Sequence, residues 1–125
     1  MLTPNNDNVL LSEDVDGGTV FVVRTTYKNG DSHLCGYLHY PDGGPNHDMY
    51  ELGAGPHIKV HGGVTYERRE DGAYTAGFDC AHAGDRYNPK TSDPEWVLSE
   101  AMRMYRQIHP YKVMADSWAK HLTVE

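Results

Sequence analysis

The tightest constraint in the chain is a dipeptide, Asp71-Gly72, set between "IKVHGGVTYERRE" and "AYTAGFDCAH". An Asp-Gly pair between two β-rich runs is a two-residue hairpin signal, because both turn positions need positive φ. Such a turn fixes the register. Glu70 faces Ala73, and paired positions then sum to a constant: Arg69 faces Tyr74, Glu67 faces Ala76 and Thr65 faces Phe78. Carried further, Gly63 faces Cys80 and His61 faces His82. Side chains alternate along a strand and opposed ones stand about 5 Å apart, so the register predicts a pair of neighbouring histidines. Asp79 falls opposite Val64 on the other face, and joins the pair only if a glycine bulge intervenes. Asp85 lies beyond the strand.

Asn29-Gly30, inside "TVFVVRTTYKNGDSHLCGYLHY", predicts a second hairpin. With a two-residue turn, Lys28 faces Asp31, Phe21 faces Leu38 and Arg24 faces Cys35. Residues 1–18 read as a flexible N-terminal segment, with Val9 to Leu11 as a local anchor. Residues 41–57 hold three prolines and four glycines and read as a long loop, its middle pinned by Met49, Tyr50 and Leu52. "SDPEWVLSEAMRMYRQI" carries helix start signals: a capping box of Ser92 and Glu95, with Pro94 in the first turn. Val97, Ala101, Met104 and Ile108 make its apolar stripe, flanked by Leu98 and Tyr105. Pro110 ends or kinks that helix, and a short second helix follows, using Val113, Met114, Trp118 and Leu122. The expected fold is α+β: an antiparallel sheet of about four strands in two hairpins, packed by one main C-terminal helix, with a second short helix. Residues 19–108 form the single domain and 109–125 a helical extension.

The net charge of −7 argues against direct binding of a nucleic-acid backbone, which needs a basic surface. No apolar run approaches a membrane span, and the N-terminus lacks a signal-peptide pattern, so a cytoplasmic protein with no membrane partner is expected. Cys35 and Cys80 match no zinc spacing and are expected as reduced, buried thiols. A nucleophilic Cys80 has only His82 near it on the strand and no visible cation to lower its pKa. His33, His39, His47, His57, His109 and His121 are scattered. Walker, G-x-G-x-x-G, H-E-x-x-H and G-x-S-x-G motifs are absent from the sequence. An exposed edge strand and an uncovered sheet face are compatible with a homodimer.

"LCGYLHYPDGGP", then "VHGGVTY", then "GFDCAHAGD" ahead of a helix, resembles a family of small bacteriophage proteins of uncharacterised activity. The resemblance spans about residues 34–108. The chain departs from the pattern in its extended segment from His109 to Glu125 and in its longer, glycine-rich middle loop. The resemblance implies a phage accessory protein acting in the host cell cytoplasm, with a motif set of His61, Gly62, Gly63, Asp79, His82 and Asp85. It also implies that the position of Cys80 is not restricted to cysteine. Small phage proteins of this kind often counter host defence by binding a defence protein or sequestering a nucleotide signal.

Two functions follow as expectations. In the first, a non-catalytic binding or inhibitor protein holds a nucleotide-like ligand or blocks a host protein. Its ligand-binding residues are His61, Gly62, Gly63, Tyr66, Asp79, His82 and Asp85, with Tyr66 or Tyr74 stacking. In the alternative, a small hydrolase binds a divalent metal ion through His61, His82 and Asp79 or Asp85, and the ion activates water.

Overall fold

The computed structural model describes residues 1–49 and 58–122. Tyr50, Leu52 and His57 lie outside the described residues, as do the side chains of His121 and Leu122. Five antiparallel strands form one open sheet: β1 (Val9–Val15), β2 (Gly18–Thr26), β3 (Ser32–Tyr40), β4 (Tyr66–Glu70) and β5 (Ala73–Asp79), in spatial order β1-β2-β3-β5-β4. One helix, α1 (Pro94–Leu122), covers one face. The class is the expected α+β; among the described residues there is one strand more than expected, and one continuous α-helix replaces the two expected at the C-terminal end.

The extra strand is β1, in the segment expected to be loose. Asp16-Gly17 turns it into β2, with Gly17 at φ 82°. Ser12, Glu13 and Asp14 dilute its apolar pattern, as an edge strand with one solvated face allows. A register shift between Val9 and Leu11 splits its apolar side chains. Val9 joins the second face of the sheet, Leu11 joins the helix face, and Leu10 is left exposed.

The Asp71-Gly72 turn holds as expected. Both residues have positive φ, 51° and 81°, and the pairing runs from Glu70↔Ala73 to Tyr66↔Gly77. The Asn29-Gly30 turn corrects its expectation by one residue: Phe21 faces Tyr37 and Arg24 faces Leu34. Of the two turn residues, only Gly30 takes positive φ (90°). Asn29 instead accepts the Asp31 N–H through its side chain (3.0 Å), while Gly30 N–H bonds Tyr27 O (3.0 Å) and Tyr27 N–H bonds Asp31 O (2.7 Å). A turn followed by a left-handed glycine adds one residue to the loop and shifts every pair behind it.

Val97, Ala101, Met104 and Ile108, the expected stripe, are fully buried against Val20, Val22, Leu34, Leu38, Tyr40, Tyr74, Ala76 and Phe78. The approach is close at Gly36, where a β-carbon would strike the Phe78 ring and press on Ala101. The helix is capped by Asp93 rather than Ser92: its Oδ1 accepts the Glu95 N–H at 3.0 Å. Pro110 neither ends α1 nor starts a second helix. A proline inside a helix costs about 3 kcal/mol, and contacts on both sides of it offset that cost. His109 Nδ1 meets Tyr40 OH at 2.8 Å, and buried Lys112 donates to Gly43 O at 2.9 Å. Beyond this anchor the helix leaves the core, and Val113, Met114 and Trp118 are exposed.

The second face buries Phe21, Val23, Cys35 and Tyr37 beneath Leu2, Val9 and Tyr66. Thr75 Oγ donates to Leu2 O at 2.9 Å, and the Tyr66 hydroxyl accepts the Leu2 N–H at 3.3 Å. Of the long loop, residues 41–49 lie against the β4–β5 tip: Arg69 donates to the carbonyls of Pro45 and His47, and Met49 is buried. No helix among the described residues is long and apolar enough to cross a membrane.

Candidate functional site

The segment that follows β5 is built from short-range hydrogen bonds. Asp79 Oδ1 accepts the Ala81 N–H (3.1 Å), an Asx turn that bends the chain off the sheet. Its Oδ2 accepts the Thr65 hydroxyl (3.1 Å). Cys80 N–H bonds Leu34 O, which ties the bend to β3. Two 3-10 turns, Asp85–Tyr87 and Pro89–Ser92, then lead to α1. Across from this segment, His61-Gly62-Gly63 makes its own tight turn, closed by Gly63 N–H to Val60 O (2.9 Å), with φ of 69° and 80° at the two glycines.

Strand pairing therefore ends before the histidines. Thr65 N–H already bonds Gly77 O, the residue that Tyr66 faces, so the regular register is lost at Thr65. The two imidazoles nevertheless meet, with ring centroids 5.8 Å apart. Turns bring them together, where strand register was the expected cause. His61 packs edge-on against Trp96 (5.4 Å), and its N–H bonds Glu100 Oε1.

Both acids reach the pair. His61 Nε2 lies 2.9 Å from Asp85 Oδ1, and the His82 backbone N–H donates to Asp85 Oδ2 at 2.8 Å. Burial alone would raise the Asp85 carboxyl. The His82 N–H and the hydrogen bond and charge of His61 outweigh it and hold the carboxyl below its ordinary value. Asp79, expected to face away, stands 3.3 Å from His82 Nε2. The two are not aligned as a hydrogen bond, and among the described residues that buried nitrogen has no hydrogen-bond partner.

The arrangement does not fit a resident metal ion. Among the described residues no three His, Cys, Asp or Glu groups are placed to hold one. His61 Nε2 is engaged by Asp85 Oδ1. Cys80 does not fit a nucleophile: burial first, then the charge of Asp85, pushes its thiol up to about 12. Burial also raises the Cys35 thiol. Cys80 belongs to the helix-side core and Cys35 to the second face, and both are free thiols.

The open space at this end of the sheet is a groove of about 700 Å³ between the β2–β3 tip and the 80–92 segment. Leu34 and Cys80 are among its buried lining residues. His82 and Asp85 line it, together with Arg24, Tyr27, Arg86 and Tyr87. Tyr27 and Tyr87 are 53% and 75% exposed, and the Arg86 guanidinium lies 4.7 Å over the Tyr87 ring. His61 sits behind Asp85 and does not line the groove. Tyr66 lies on the opposite sheet face, edge-on to Tyr37 at 5.5 Å, and Tyr74 is fully buried, so neither of these two stacking candidates reaches it.

Sequence reasoning missed Arg24, Tyr27, Arg86 and Tyr87. Arg86-Tyr87, directly after the Gly-Asp of the motif, was the available signal. Comparison of the chain with protein-family models, curated proteins and solved structures gives no match.

Proposed function

We propose that this is a non-catalytic binding protein whose groove sequesters a nucleotide-like ligand, in the manner of a phage accessory protein acting in the host cytoplasm. The observation that carries this reading is the lining of the groove, where two arginines and two exposed tyrosines share one concavity of ligand size. Exposed aromatic rings offer stacking surface for a base, and guanidinium groups match phosphate geometry. The protein as a whole is acidic, with 18 Asp and Glu against 11 Lys and Arg. The groove sets Arg24 and Arg86 against two carboxylates, Asp31 and Asp85, and so is less acidic than the average surface. The Asp85 carboxylate beside the arginines is already engaged by His61 and the His82 N–H, which softens its repulsion of an anion. The high thiol of Cys80 supports binding over chemistry.

Titration calorimetry with the four ribonucleoside 5′-monophosphates tests this. Binding is expected, and it should weaken in Tyr27→Ala and Tyr87→Ala by roughly 5- to 150-fold, the range for loss of one base–aromatic stack. Arg24→Ala/Arg86→Ala should weaken it and flatten its salt dependence. These side chains are exposed, so circular dichroism should be unchanged. No heat with any nucleotide, alongside capture of a host protein that survives all four substitutions, would replace this reading with a protein-blocking one.

A further inference from the structure

We infer that Asp85 is the sugar-reading residue of the groove, accepting a ribose hydroxyl, and that the ligand is a ribonucleotide rather than a deoxyribonucleotide. This rests on the nucleotide reading above and assigns a specificity to the same site.

Asp85 is fixed by its surroundings at nearly every polar atom. Its N–H bonds His82 O at 3.0 Å, and its carbonyl accepts Asn88 N–H and the Thr91 hydroxyl. Its carboxylate takes one donor on each oxygen, His61 Nε2 on Oδ1 and the His82 N–H on Oδ2. A carboxylate has about four acceptor positions, so two donors leave acceptor capacity unfilled. The residue is 7% exposed, yet it borders the groove. An acceptor held this way loses little freedom when a donor arrives.

Charge decides what that donor can be. A phosphate would be repelled by the carboxylate and belongs with Arg24 and Arg86. A base stacks on Tyr27 or Tyr87. The part of a nucleotide that links these two and offers neutral donors is the sugar. A carboxylate accepting from a ribose 2′-hydroxyl is an established solution to the same problem in dinucleotide-binding folds. His61 lies outside the groove and touches no ligand, so it is a positioning residue that orients Asp85 from behind.

The test compares each of AMP, GMP, CMP and UMP with its 2′-deoxy and 2′-O-methyl partners on the wild-type protein by calorimetry. Ribonucleotides should bind about tenfold or more tightly than the deoxy form, the usual effect of losing a hydrogen bond to a charged acceptor. The 2′-O-methyl form should behave like the deoxy form, since it lacks the donor. In Asp85→Asn the ribo-to-deoxy ratio should fall towards one. In His61→Gln, which keeps a donor for Oδ1, the ratio should be largely retained. Equal binding of ribo and deoxy forms to the wild type would overturn the inference and leave the groove reading intact. Binding of neither would overturn both. The wild-type comparison decides the sugar preference even if Asp85→Asn does not fold, and a preference lost in Asp31→Asn, the other carboxylate of the groove, would overturn the assignment to Asp85.

Discussion

The imidazole of His82 lies on the α-carbon of Gly62, in the space where a side chain at position 62 would begin. Gly62 also has φ 69°, so two independent constraints converge on one residue. Gly72 has φ 81° with nothing near its missing β-carbon and isolates the backbone part. Gly72→Ala should cost about 1 kcal/mol, from backbone strain alone. Gly62→Ala should cost about 3 kcal/mol, because overpacking against His82 is added. The double variant Gly62→Ala/His82→Ala should recover most of that difference. Urea unfolding measures all three, and equal costs at the two glycines would rule out the packing account.

Lys112 holds the distal half of α1 to the sheet. Its ammonium donates to Gly43 O and Asp116 and lies 4.9 Å over the Tyr40 ring. Lys112→Met should leave the Gly43 carbonyl without this donor and cost about 1–3 kcal/mol. Amide exchange should quicken selectively after Pro110, while the Val97–Ile108 stripe stays protected. Uniform loss of protection along the helix would show that Lys112 is not a local anchor.

His39 is buried and bonds the Thr75 hydroxyl through Nδ1 at 2.8 Å. Burial, partly countered by a bond to the Tyr74 backbone, lowers its pKa below the ordinary 6.5. The unfolded chain therefore binds this proton more readily than the native one. The stability His39 contributes is complete above about pH 6.5 and is lost as pH falls through its folded value. Urea midpoints should drop more steeply below pH 6.5 in the wild type than in His39→Gln. Parallel curves would remove His39 from the acid limb.

The thiols should be silent in the native state. Burial pushes Cys80 up to about 12 and raises Cys35, which disfavours the reactive thiolate at both, and both residues are buried. Neither should react with a thiol-exchange reagent until urea is added, and then both should react. Fast native labelling of Cys80 would restore a nucleophilic role for it.

These predictions rest on features unequally legible in the sequence. Asp71-Gly72 specified its hairpin because both residues accept positive φ and nothing competes with the turn. Asn29-Gly30 misled by one residue because Asn29 found a closer use, capping Asp31, and left the left-handed position to Gly30 alone. The α1 stripe was readable because four apolar residues at helical spacing face one sheet. The continuity through Pro110 was not, since it depends on His109 and Lys112 finding partners about 70 positions away. The meeting of His61 with His82, Asp79 and Asp85 was half legible: the residues stood out, but turns outside the strands determine their geometry. Arg24 and Tyr27 carried no local signal, because only the fold sets them beside Arg86 and Tyr87.

The strand order also carries a timetable. β1–β2–β3 and β4–β5 each join neighbours in sequence through short turns, and hairpins of that kind form in about 1–10 μs. The seam between β3 and β5, from Tyr40↔Tyr74 to Cys35↔Asp79, joins them only after the chain between Tyr40 and Tyr66 has closed on itself. Closing that stretch is an entropic step that no local turn helps. Substitutions along the seam, such as Ala76→Gly, should therefore slow folding, and Gly72→Ala at the tip of β4–β5, a hairpin already formed when the seam closes, should slow it too with little effect on unfolding. The barrier to reaching the native state then lies along a line through the middle of the sheet, and the two halves on either side of it assemble first.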